Sequence, residues 1–213
     1  MTVRVNKPAV NLREELASLR NQGDYSEQQF YFDSLVTNGT FDADTDWTKG
    51  TGWTISGGQL SHASGSTTNT TQVISLVTGR RYRAAVEVIS ISGGSGSIQF
   101  RNGGTTTATT IAATGTFEVF YTAEGNNQVA VVAGSGTVMT VDNVSVFEVD
   151  ANNDVIHTMP KGWKPKDVFE DGLLQREGAA HDYEVVYDGF DYKVKPTVAP
   201  SATTETCVIG VKA

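Results

Sequence analysis

The feature that most constrains this chain is a two-residue alternation of apolar and polar side chains, repeated in short bursts from Thr54 to Glu148. Arg81–Ile89 shows it best, with Tyr82, Ala84, Val86 and Val88 on one face. A period of two sends successive side chains to opposite faces of a strand. Further bursts run over 72–77, 97–101, 116–121, 128–132, 137–141 and 143–148, and Gly or Asn separates nearly every pair. Gly57-Gly58, between Thr54-Ile55-Ser56 and Gln59-Leu60-Ser61, is a two-residue hairpin signal. Many short strands with regular turns and no helical period predict an antiparallel sandwich. Two Ser/Thr-rich stretches, 65–71 and 103–110, lie between strands and read as wide hairpin loops or exposed edges.

Composition divides the 213 residues into three units. Residues 1–34 form a predicted N-terminal arm with balanced charge and the one good helix signal. Asn11 can cap that helix, Glu14 completes a capping box, and Leu12, Leu16 and Leu19 follow at helical spacing. So short a helix is marginal alone, and its leucines need a partner surface. They either pack on their own domain or anchor the chain to another subunit. Residues 35–149 are rich in Gly, Thr and Ser and hold the sandwich signal. Residues 150–213 regain charge after the polar cluster Asp150-Ala-Asn-Asn-Asp154 and read as a small C-terminal β domain. There Asp188-Gly189 signals a hairpin between Tyr187 and Phe190.

The overall expectation is an all-β chain: a β-sandwich, a short N-terminal helical arm and a small C-terminal β domain. Charged residues make up 19% of the chain against about a quarter in an average domain. Hydroxyls and amides must therefore solvate the sandwich surface.

A net charge of -8 argues against binding nucleic acid or an anionic membrane. No apolar run approaches the roughly 20 residues of a membrane span. The first residues lack the apolar centre of a signal peptide, so synthesis in a cytoplasm is expected. The single cysteine, Cys207, sits in an apolar run and reads as a structural thiol. His62, His157 and His181 are scattered without metal spacing, and neither a nucleophile elbow nor a phosphate-binding loop occurs. A non-enzymatic protein is expected.

Leu35-Val-Thr-Asn-Gly-Thr-Phe41, then Trp47, Gly52-Trp53 and the closing Val141-Asp-Asn-Val-Ser-Val146 resemble a carbohydrate-binding-module-type jelly roll of the kind grouped with families four and nine. The resemblance implies a jelly-roll β-sandwich whose first motif meets its last strand at one edge. Residues 167–178, Asp182-Tyr-Glu-Val, Tyr192-Lys-Val and Val198-Ala-Pro-Ser resemble a β module of bacteriophage tail fibres and other virion appendages. The start of the chain is similar to tailed-phage structural proteins.

These resemblances imply a virion protein on the phage particle surface: a head decoration or head fibre protein anchored by its arm. It would associate with itself, a trimer being expected, and with other virion proteins such as the major capsid protein. The alternative is a tail fibre or adhesin for host-surface glycan. Sugar rings stack on exposed aromatic faces, and the glycan-binding candidates are Trp47, Trp53, Tyr82, Phe100 and Tyr121. The competing reading puts these aromatics in the core. A structural calcium is implied at Asn38 and Asp142, where hard oxygen ligands suit the ion; otherwise no cofactor is expected.

Overall fold

The computed structural model of the chain describes residues 27–103, 105–125, 127–178 and 181–213. The expected helix carrying Leu12, Leu16 and Leu19 lies outside them. The regular structure described is all β-strand. In chain order the strands are β1 (Gln28–Tyr31), β2 (Thr48–Lys49), β3 (Trp53–Ser56), β4 (Gln59–His62), β5 (Thr68–Ile74) and β6 (Arg81–Ser92). There follow β7 (Gly96–Asn102), β8 (Thr105–Ile111), β9 (Gly115–Thr122), β10 (Asn127–Ala133) and β11 (Val138–Val149). The last six are β12 (His157–Thr158), β13 (Trp163–Glu170), β14 (Leu173–Leu174), β15 (Tyr183–Tyr187), β16 (Tyr192–Pro196) and β17 (Thr206–Lys212).

Two five-stranded sheets, ordered β2-β5-β10-β7-β8 and β3-β4-β11-β6-β9, enclose one core. The predicted face of β6 is buried: Tyr82, Ala84, Val86 and Val88 all point into that core. Ile98, Phe100, Val129 and Val131 meet them from the opposite sheet. Burying such side chains contributes roughly 1.5–3 kcal/mol each, which explains how so lightly charged a unit folds. Gly57 and Gly58 turn β3 into β4 with φ of 63° and 73°, as the hairpin signal requires. The register of β11 against β6 shifts between Asp142 and Ser145. Asn143, at φ 51°, sits in this irregularity, and Val141 and Val144 both face the core although three residues apart.

The first and last motifs of the sandwich meet. Val144 N–H donates to the Gly39 carbonyl at 2.9 Å. A Cβ on residue 39 would lie 2.0 Å from the Val144 carbonyl oxygen, so only glycine fits.

A second unit is built from a four-stranded sheet, β1-β17-β13-β14, and a three-stranded sheet, β12-β16-β15. Its core holds Met159, Val168, Tyr183, Val194 and Val208, with Phe30, Phe32 and Trp163 packed against it. Two expectations need correction here. Residues 28–31, read as part of the arm, form β1 and pair antiparallel with β17 from Gln28–Gly210 to Tyr31–Cys207. The turn at Asp188-Gly189 spans 188–191, because Tyr187 pairs with Tyr192 and the Asp188 carboxylate accepts the Phe190 and Asp191 amides at 2.9 Å.

The two units are in contact. Leu35 N–H donates to Val146 C=O at 2.9 Å, and Ile156 N–H to Glu148 C=O at 3.0 Å. Phe147, Val149 and Val155 form a small apolar cluster at the crossing, with Phe120 against it. The Asp150–Asp154 turn is closed by the Asp150 carboxylate, which accepts the amides of Asn152 and Asp154. Lys195 of β16 pairs with both acids of that turn.

Candidate functional site

The register of the sheet β2-β5-β10-β7-β8 aligns its outward side chains in rows. Val73, Gln128, Arg101 and Thr106 form one row across β5, β10, β7 and β8. Thr71, Ala130, Gln99 and Ala108 form the next, then Asn69, Val132, Ser97 and Thr110. This outer face is mostly polar and lacks aromatic side chains in these rows, and its centre is closed over: Ala130 is fully buried although Val129 and Val131 beside it face the core.

An open cleft of about 880 Å³ lies at one end of this face. Its size falls within the roughly 300–1,000 Å³ of small-molecule sites. Val73, Leu76, Arg101, Thr106, Asn127 and Gln128 are among the residues that line it. Arg101 Nε donates to Gln99 Oε1 at 2.9 Å, and Gln99 Nε2 donates to Ser97 Oγ at 2.7 Å. This ladder along β7 holds the guanidinium in place. No carboxylate lines the cleft among the described residues, and Arg101 has no ion-pair partner there. In an acidic chain, the cleft is thus a local cationic spot equipped to hold a ligand by hydrogen bonds.

The five aromatic candidates are elsewhere. Trp47, Trp53, Tyr82, Phe100 and Tyr121 are all in the sandwich core, between 0 and 7% exposed. A ring so covered has no face to offer a sugar, which overturns their assignment as stacking platforms. Phe100 instead stacks on Tyr121 at 5.2 Å and Trp47 packs on Phe41 at 5.4 Å. Trp47 Nε1 donates to the Asn38 carbonyl at 3.1 Å, and Tyr82 and Tyr121 hydroxyls accept the amides of Val77 and Glu124. Trp53 lies on His62, centroids 4.9 Å apart.

The calcium expectation fares differently at its two residues. Asn38, at φ 50°, donates its amide to the carbonyls of Ala43 at 2.6 Å and Thr45 at 3.1 Å. These carbonyls therefore converge on an N–H₂ group, a role a cation would otherwise fill. Asp142 accepts the Asn143 amide at 2.7 Å. Burial raises its pKa, and Glu87 and Asp42 push the same way. Among the described residues no three acid, His or Cys side chains gather into a metal-holding group.

Sequence reasoning missed the cleft, because its residues come from four segments whose adjacency depends on strand order. It also missed His157. That side chain is buried at the junction of the two units, its Nε2 without a partner, beside a cavity of about 220 Å³. Burial lowers its pKa to about 4. Among the described residues no helix is long and apolar enough to cross a membrane. The chain matches no protein-family model, and no curated protein matches it.

Proposed function

We propose that this chain is a non-enzymatic structural protein of a phage particle surface, a head decoration or head fibre protein. The N-terminal arm anchors it and the sandwich, read as a jelly roll, is displayed. The observation that carries this reading is the pairing of β1 with β17. The segment that follows the arm is a full member of the C-terminal sheet, so load on the arm passes into a packed unit rather than a loose linker. The hydroxyl-rich outer face, in whose rows Arg101 is the charged member, suits a displayed module. The expected partners are further copies of the chain and the major capsid protein.

The test is incorporation into particles. Deleting residues 1–22 should leave a folded protein that no longer joins the particle; persistent incorporation would remove the anchor. Copy number then separates locations, with hundreds per particle for a head protein and a dozen or two for a tail protein, both order-of-magnitude expectations from symmetric assembly.

The second reading, a tail fibre or adhesin binding host glycan, is favoured by one observation, the cleft containing Arg101, Gln128 and Thr106. It rests on polar contacts at that cleft in place of the buried aromatics. Glycan-array binding abolished by Arg101→Ala and retained in Trp47→Phe would support it.

A further inference from the structure

β8 closes one edge of its sheet. It pairs with β7 along its whole length and, among the described residues, has no strand paired to its other side. An edge strand displays a row of unpaired N–H and C=O groups, and natural proteins blunt it with charge, proline, bulges or shortness. β8 has none of these: its seven residues, Thr105-Thr106-Thr107-Ala108-Thr109-Thr110-Ile111, hold unbroken register and carry no ionisable side chain and no proline. Among the described residues, the strands that end the other sheet orders are short or charged. β2, β12 and β14 have two residues each, β1 and β3 four, while β9 carries Glu118 and β15 carries Glu184.

The strand also reads almost the same in both directions about Ala108. Antiparallel pairing of two copies on a twofold axis at Ala108 sets Thr106 opposite Thr110, Thr107 opposite Thr109, and Ala108 opposite itself. The faces match too. Thr106, Ala108 and Thr110 lie on the solvent side in each copy, and Thr107 and Thr109 share the side of buried Ile111. An isologous contact requires a surface that complements itself, and a palindromic edge is one. Opposed threonines add side-chain hydrogen bonds across the pair. We propose that β8 pairs with β8 of a second copy of this chain, joining two sandwiches through one continuous sheet. The fit is to this sequence itself, which commits the edge to a second copy rather than to an unrelated strand. The contact is twofold, in place of the expected trimer, and does not depend on the virion reading.

Sedimentation equilibrium of the full chain, from micromolar to submillimolar protein, tests it. The mass should rise with concentration from one chain to two. Ala108→Lys should stay at one chain throughout, because two lysines then face each other at the axis; Ala108→Glu should do the same. An equimolar mixture of the two variants should restore the doubled mass. Thermal melts of each variant alone, matching dilute wild type, show that the contact and not the fold was lost. A wild type that stays monomeric, a trimer, or an Ala108→Lys protein that still doubles overturns the proposal. So does a mixture of folded variants that fails to pair.

Discussion

The imidazole of His157 lies against the ring of Phe32, centroids 5.2 Å apart, and ties the segment entering the sandwich to the strand that follows it. Phe147 adds an edge contact at 6.4 Å. Because burial lowers the histidine pKa from 6.5 to about 4, the unfolded chain binds a proton in that interval that the folded chain refuses. Stability therefore falls as pH drops from 6.5 towards 4, and this contribution is level above and below that window. The full cost is roughly 3 kcal/mol at about 1.4 kcal/mol per pKa unit. Denaturant midpoints of wild type and His157→Phe should diverge across that window; parallel curves would clear His157 of the effect.

Gly39→Ala should be among the most damaging single changes in the sandwich. The new methyl would collide with the Val144 carbonyl, a backbone atom that cannot rotate away. A loss of about 3 kcal/mol is expected, at the top of the usual range. Urea unfolding measures it, and a loss no larger than for Gly57→Ala, where nothing lies within 4 Å, would show that the close approach relaxes cheaply.

The loop from Asn38 to Trp47 should depend on an amide rather than on an ion. Asn38→Ala removes the donor to Ala43 and Thr45 and should cost about 1–2 kcal/mol. Chelator and added calcium should both leave the wild-type unfolding midpoint unchanged. A midpoint that climbs with calcium would restore the metal to this loop.

Phe100 and Arg101 are neighbours in sequence on opposite faces of β7, and their substitutions should separate folding from recognition. Phe100→Ala empties a fully buried site and should cost about 3–5 kcal/mol. Arg101→Ala, on the outer face, should change stability by less than about 0.5 kcal/mol. Chemical denaturation of the two proteins side by side checks both values.

Much of the sandwich was legible because its signals are local. The alternation at Tyr82, Ala84, Val86 and Val88, and the turn at Gly57-Gly58, need only neighbouring residues to act. The threonine run from Thr105 was harder, since an edge strand lacks a strong apolar face and resembles a loop. β1 was illegible because its partner, β17, lies at the far end of the chain. Trp47 misled for another reason. Its neighbours Asp44, Thr45, Asp46 and Thr48 are polar, yet the ring is drawn inward by Phe41 and by its bond to the Asn38 carbonyl. Periodicity tells which residues share a face; it does not tell whether that face is covered.

The pairing of β1 with β17 makes the sandwich an insert. The chain starts the smaller unit, departs at Leu35, and returns beside its point of departure at Val146 to finish what it began. Entry and exit share one doorway, so the insert behaves as a cassette. Another module with the same narrow gap between its ends could take its place without unpicking the surrounding sheet. The inserted module can thus diversify while the surrounding sheet stays constant.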